Sequence, residues 1–446
     1  MLGHKMAYDK IFILYLHMIK RFFKYLANLK LAILILLVIS LVISIGTIIE
    51  QNKEIIFYQE NYSTLIFTIP LWKILLFFGF NNIYSTWWFL LLLGLLGLSL
   101  ACCTIIQQLP TLKFSRRYYF YKQVNQYKKL QIKLNAIKVF PSHLSHTLLK
   151  KEYSLFQQAN SFYAYKGLIS RVGPIVVHLS IICVLLGSTL GALKGFNSQE
   201  LIPKTEVFHI QNVIKNGVFS SVPQKTFRVN DFWSIYTSNG LIKQFYTDLS
   251  ILNGQGREIQ RKTISVNNPL LLNDLIIYQT DWGILGLRLK YIKNNTSKLS
   301  LQLPISKLNT SNQKIWISSL PSIQKDKKSF IILIKDNRGQ ISLYNNEGKF
   351  LKSSNIGDII YNTDSIDLNF IDIISSTGIQ IKADPGIKLI YFGFFFLIFS
   401  SLISYISFSE FWLLYSPLRV ISGGKTNRAK VKYNLEFLNF KQSFFD

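Results

Sequence analysis

Cysteine is nearly absent from this chain of 446 residues, which has only Cys102, Cys103 and Cys183. All three fall inside apolar runs, so residues 194–386 contain none and have no disulfide framework. No Cys-x-x-Cys occurs, which excludes a thiol–disulfide relay. No Cys-x-x-Cys-His occurs either, so the chain is not itself a c-type cytochrome. Acidic residues are also scarce, 23 Asp and Glu against 50 Lys and Arg, for a net charge of +27. In four long runs charge all but disappears: Leu31–Ile49, Trp87–Ile106, Val172–Leu193 and Ile387–Phe408 hold one ionised side chain between them, Lys388. A bilayer crossing takes about 20 apolar residues, so each run reads as a transmembrane helix. Leu65–Gly79, shorter and interrupted by Pro70 and Lys73, reads as an interfacial or re-entrant segment.

The excess of positive charge invites a nucleic-acid reading, but its distribution argues against one. Residues 1–30 hold six Lys or Arg and one acid, residues 107–171 hold twelve against Glu152 alone, and residues 409–446 hold six against three. The loop Glu50–Thr86 has two Lys and three Glu. Basic segments thus alternate sides, as the positive-inside rule requires. Both termini and residues 107–171 then face the cytoplasm-equivalent side, and residues 194–386 lie opposite. The basic surface is a topology signal and a contact for membrane lipid, and nucleic acid is not among the expected partners. The first long run ends in Glu50-Gln51-Asn52 rather than in a small-residue cleavage site, so it is expected to remain as a span. Abundant Ile, Lys, Asn, Phe and Tyr with little Ala suits an AT-rich organellar or bacterial gene.

Local patterns divide the chain further. Ile11–Lys30 is a basic, aromatic, amphipathic lead-in to the first span. Trp72, Trp87, Trp88 and Trp412 stand at interfacial positions and read as anchors. Tyr153–Tyr165 has strand–turn–strand character around Ala159-Asn160-Ser161. His143 and His146 sit three apart, but with no Cys or further His nearby they read as surface residues. Residues 194–386 read as mostly β, with turns at Asn239-Gly240, Asn253-Gly254, Asn337–Gly339 and Asn346–Gly348. No carboxylate pair or Ser–His arrangement suggests hydrolysis there, and a binding or chaperoning surface is expected.

Within the third run, Arg171-Val-Gly-Pro-Ile-Val-Val-His178 puts an imidazole in hydrocarbon. An intramembrane ionisable group is a functional hypothesis by default. On a helical wheel His178 shares a face with Arg171, Pro174, Ile181, Ile182 and Leu185, while Gly173, Ser180, Cys183, Gly187 and Gly191 cluster opposite. The small-residue face suits close helix packing and leaves the His178 face for another partner. An apolar wall, an axial imidazole and an Arg seven residues, about two turns, below suit haem: His178 on iron and Arg171 on a propionate. His178 as a hydrogen-bonded helix contact or a proton relay is the competing reading. If iron is held by two histidines, the second comes from another chain, because no other run contains one.

Taken together, these residues resemble the ResB/CcsB family of system II cytochrome c maturation proteins, and most of all its plastid-encoded branch. The similarity runs along nearly the whole chain: Gly46-Thr47-Ile-Ile-Glu-Gln51, Tyr84–Phe89, Cys103-Thr104, Arg171-x-Gly-Pro-x-x-x-His178, Tyr246–Ser250, Ile264–Leu270, Ile277–Trp282, Asp384-Pro385-Gly386 and Gly424–Ala429. The resemblance implies an integral membrane protein of four transmembrane helices with a large, mostly β lumenal domain. The implied parts are a stromal N-terminus (1–30), spans at 31–49, 87–106, 172–193 and 387–408, a short lumenal loop (50–86), a stromal loop (107–171), the lumenal domain (194–386) and a stromal tail (409–446). It also implies a thylakoid location in a plastid, or a bacterial or cyanobacterial membrane as the alternative. The implied role is delivery and attachment of haem to apocytochromes c, in complex with a CcsA-type membrane protein. His178 would be an axial ligand to a transient haem b shared with that partner. On this reading the chain is an accessory rather than a catalytic subunit. A scaffold that chaperones apocytochrome and the CcsA-type subunit without binding haem is the rival.

Overall fold

The structure is a computed structural model that describes residues 15, 17–66, 69–136, 141–238, 241–272, 274–293, 297–309, 314–320, 330–345, 347–363, 366–416 and 419–442. Part of the amphipathic lead-in, the Asn239-Gly240 turn, Asn346 and the His143 side chain lie outside what it describes. Among the described residues, four helical stretches are long and apolar enough to cross a membrane, Leu29–Ile48, Trp87–Ser115, Leu168–Lys194 and Ile387–Ser404, with regular α-helix over Leu29–Ile48, Trp87–Cys103, Gly173–Lys194 and Ile387–Ser404. They are called the first to fourth apolar helices below. The chain divides into two compact units, residues 1–192 with 386–446, and residues 193–385.

In the first unit, Asn28 opens the first apolar helix, its side-chain oxygen accepting from Lys30 N at 3.0 Å. Ile35 and Ile39 of this helix pack with Ile83 of the 3-10 helix Phe80–Ser85 and with Phe89 and Leu96 on the second apolar helix. The third and fourth helices meet through small residues. A Cβ on Gly173 would lie 2.3 Å from Ser404 Oγ, one on Gly393 2.9 Å from Ser180 O, and one on Gly386 1.9 Å from Gly187 O. Small residues allow this close backbone approach, a form of packing typical of apolar helix pairs. This is the small face expected from the sequence. Within Leu65–Gly79, the segment read as interfacial or re-entrant, the short ribbon Leu65–Ile66 with Ile69–Pro70 leads into a seven-residue helix, Leu71–Phe77. Pro70, which lacks an N–H, takes the N-cap position, where no donor is needed.

The same unit contains a five-stranded antiparallel sheet in the order Ile132–Ala136, Arg419–Thr426, Ser409–Ser416, Ser161–Lys166, Ser154–Gln158. The expected hairpin is its outer pair, with Ala159 in the left-handed region at the bend (φ 49°). The segment read as a tail is folded in its described part: residues 409–416 and 419–426 supply two of the three inner strands, and Lys430–Gln442 is a helix. Leu148, Phe162, Phe411, Tyr433 and Phe437 form the core beneath. Trp412 belongs to this protein interior rather than to an interfacial belt. It is 3% exposed, stacks on Tyr121 and donates to Tyr119 O at 2.7 Å.

Among the described residues, the second unit after Lys194 is built of β-strands and their connections. One sheet has the order Glu258–Ser265, Ile242–Leu252, Thr226–Tyr236, Val207–His209. A seven-stranded sheet centres on the long antiparallel pair Leu275–Lys293 and Ile366–Ala383. A five-stranded meander runs from Ser306 to Asn355. Two apolar clusters fill this unit, one around Phe227, Leu249 and Ile379 and the other around Trp282, Trp316 and Phe370. Between the first two sheets, buried Thr247 bonds Thr377 at 2.7 Å and also Gln279, so each polar side chain there is satisfied.

Candidate functional site

His178 lies in the second turn of the third apolar helix and is half-buried. Its face is not wholly unpartnered, contrary to the wheel-based expectation. Leu185 packs with the cluster formed by the first and second helices, its Cδ1 3.8 Å from where a Gly97 Cβ would be, and His178 Nδ1 lies 3.0 Å from Thr104 Oγ1.

Thr104 sits where the second apolar helix changes character. α-Helical geometry runs to Cys103, and Thr104–Gln108 then forms a π turn, with Leu109 N–H reaching back to Thr104 O. Single π turns inside helices recur at functional sites because they re-aim side chains. This one is held from the side. Gln107 Nε2 donates to Ala27 O at 2.7 Å, and Ser99 Oγ donates to Leu26 O at 2.7 Å.

The Thr104 hydroxyl fixes the imidazole. Its Oγ1 is 2.8 Å from Leu100 O, and a carbonyl can only accept, so the hydroxyl proton is committed there. Toward His178 the same oxygen can then only accept, and Nδ1 must carry the ring proton. The neutral ring therefore keeps its lone pair on Nε2, the arrangement of a metal-ligating histidine whose other nitrogen is held by a hydrogen bond. Among the described residues no three His, Cys, Asp or Glu gather to hold an ion, so any metal here comes with further ligands of its own.

Arg171 has different neighbours. Gly167, in the left-handed region (φ 78°), turns the chain into a short 3-10 helix, Leu168–Arg171, and passes so close to Ser407 O that a Cβ would lie 2.2 Å from it. The Arg171 guanidinium then rests over the Phe408 ring, 4.7 Å from its centroid. Its Nε is buried without a hydrogen-bond partner. Close by, Glu410 accepts from Tyr163 Oη at 2.9 Å. Burial raises the Glu410 carboxyl above its ordinary value, against the opposing pull of the Tyr163 hydroxyl, Lys425 and Arg171. Burial likewise pushes the Tyr163 hydroxyl up, and Glu410 adds to it. The sequence-expected pair is thus anchored separately, His178 by the second helix and Arg171 by the segment after the fourth. His146 is exposed, as expected of a surface residue.

Sequence reasoning did not single out Glu410 or Tyr163, and it gave Thr104 a place only in the Cys103-Thr104 pair of the family resemblance, without a role. An acid among the basic residues after the last apolar run was a signal for Glu410. Nothing local marks Thr104, since the hydroxyl meets His178 only through tertiary packing.

A family model described as ResB-like family matches residues 29–351. The cytochrome c biogenesis protein Ccs1 of Trieres chinensis is 45% identical over 417 residues, covering 93% of this chain and 98% of that protein. The protein of the same name from Pyropia yezoensis is 44% identical over 425 residues, covering 93% and 94%. A solved structure titled Cytochrome c Heme Lyase CcmF aligns with 70% of this chain and 30% of its own at 8% identity, and its TM-score of 0.24 is too low to bear on the fold. With a model match over most of its length and relatives this similar from end to end, the chain belongs to the ResB-like family.

Proposed function

We propose that this chain serves the biogenesis of c-type cytochromes by holding haem within the membrane through His178 Nε2, on its way to apocytochrome. The observation that carries this reading is the Thr104 hydroxyl, committed to Leu100 O and accepting from His178 Nδ1, which presents Nε2 as a ligand. The relatives' printed role in cytochrome c biogenesis supports the same assignment. So does the unpaired Nε of Arg171, a donor suited to a haem propionate.

In this reading the four apolar helices cross a thylakoid membrane. Residues 1–30, 107–171 and 409–446 are stromal, and residues 50–86 and 194–386 are lumenal. The β unit receives apocytochrome. Haem supplies an iron centre that accepts axial imidazoles and vinyl groups that take up two cysteine thiols. This chain's own part is to orient one imidazole, keep water from it with the walls of the second and third helices, and bind an anionic edge at Arg171. A second histidine for the iron would have to come from another chain, a CcsA-type partner, because no other apolar helix here contains one. The chain is an accessory subunit and makes no thioether itself.

Co-purification with a CcsA-type partner tests this. His178→Ala should remove most of the haem absorbance from the complex, and imidazole in the buffer should restore part of it. An unchanged spectrum with undiminished mature cytochrome would leave the haem-free scaffold as the better account.

A further inference from the structure

We infer that the turn Gly217–Pro223 of the β unit is a membrane-inserting edge, with Val218 and Phe219 dipping into the bilayer beside the end of the third apolar helix. The inference rests on the reading that this helix spans a membrane. It starts from two side chains with no reason to be outside a core: Val218 is 80% exposed and Phe219 68% exposed. Exposed large apolar groups that gather in one place mark an interaction surface.

Their position decides the partner. Phe219 N donates to Leu193 O at 2.8 Å, and Gly217 N donates to Gly195 O at 2.9 Å. Leu193 belongs to the last turn of the third apolar helix, whose final carbonyls lack partners within the helix. The turn therefore caps that helix end, and Val218 and Phe219 are tied to the level at which it leaves the apolar phase. Strand pairing repeats the tie, with Phe196 opposite Asn216 on one side and Ala383 on the other. Ala383 also faces Leu275, which brings in the short strand Leu270–Leu272, where Leu271 is 64% exposed. Ala383 is followed closely by the start of the fourth apolar helix at Ile387. A second apolar tip thus hangs from the other helix attachment.

The polar residues around these tips suit headgroups. Lys194 and Lys225 line the hollow of about 440 Å³ beside Phe219, with Asp274 as the one acid. Apolar groups below and ammonium groups level with phosphates form the pattern of interfacial segments. The occupant is lipid rather than a soluble protein because Leu193, to which the turn is bonded, lies in the last turn of a helix of membrane-spanning length.

Depth measurement by spin labelling tests this on the full chain in phospholipid vesicles. Single cysteines replace Phe219, Leu186 (54% exposed on the third apolar helix) and Leu241 (70% exposed on another turn of the β unit). The wild-type chain supplies the background of its three native cysteines. The label at 219 should be accessible to oxygen and closed to a water-soluble nickel chelate, at a depth of about 5–10 Å. The label at 186 should be deeper, and that at 241 open to nickel. A 219 label open to nickel while 186 is closed overturns the inserted edge and leaves the spanning helix standing. A 219 label shielded from both reagents assigns the turn to a protein contact and overturns it too. Nickel access at 186 would refute the membrane reading itself.

Discussion

A hydroxyl that donates one way and accepts the other is a directional device, and Thr104 is the residue on which the tautomer of His178 depends. Thr104→Val keeps the shape and removes the acceptor. Haem affinity of the complex should fall about 10- to 100-fold, the usual loss when a metal-ligating histidine loses its outer hydrogen bond. Thr104→Ser should retain most of it, and a haem titration of the three proteins checks both. Glu410 gives a prediction in pH. Because its carboxyl is raised in the folded protein, its contribution to stability is full at low pH and is lost as pH rises through the raised value. Glu410→Gln should therefore flatten the decline in melting temperature above pH 4.5 and leave the low-pH melting temperature nearly unchanged. Thermal unfolding in detergent across pH reads this out. Of these residues only His178 could be given a role from the sequence, because an imidazole among Ile, Val and Leu is conspicuous. Thr104 looks like any helix-end threonine until a helix 74 positions away is laid against it.

Helices and strands were the most legible features. Apolar runs near 20 residues long mark the four helices, and the spacing of Gly173, Ser180 and Gly187 marks the face that packs. The sequence could not identify the partner face. The seam with the fourth helix depends on Gly386 and Gly393, which in sequence look like a start signal and a lone glycine. A Cβ at Gly386 would meet backbone rather than a movable side chain, so no rotamer change relieves it. Gly386→Ala should destabilise the pair by about 1–3 kcal/mol, the usual cost of overpacking. Gly94→Ala should cost little, since nothing lies within 4 Å of the added methyl. Melting temperatures of the two variants would separate them. Turn chemistry was similarly readable: Asn253 accepts from Gln255 N and Arg257 N, as an Asx turn should. The reading of residues 409–446 as a tail failed for a different reason. Their basic charge was visible, but their strand partners lie hundreds of residues away.

Across the whole molecule, the five-stranded sheet fixes topology independently of charge counting. Ser161–Lys166 precedes the third apolar helix, and Ser409–Ser416 follows the fourth. Their antiparallel pairing, Ser409 opposite Lys166 and Leu414 opposite Ser161, puts the start of one helix and the end of the other at the same end of the bundle. Deleting residues 419–446 should expose both neighbouring strands and leave Phe411 and Tyr163 without cover. The expected result is a large loss of accumulated protein, measured by immunoblot against the full chain. Pairing over such distances also constrains biosynthesis. Tyr163 must wait for Glu410, 247 residues further on, to leave the ribosome. The whole β unit is synthesised in that interval. Until then Ser161–Lys166 presents a bare hydrogen-bonding edge, so a chain stalled or cut before residue 409 carries its own mark of incompleteness, an open strand for proteases and chaperones to recognise.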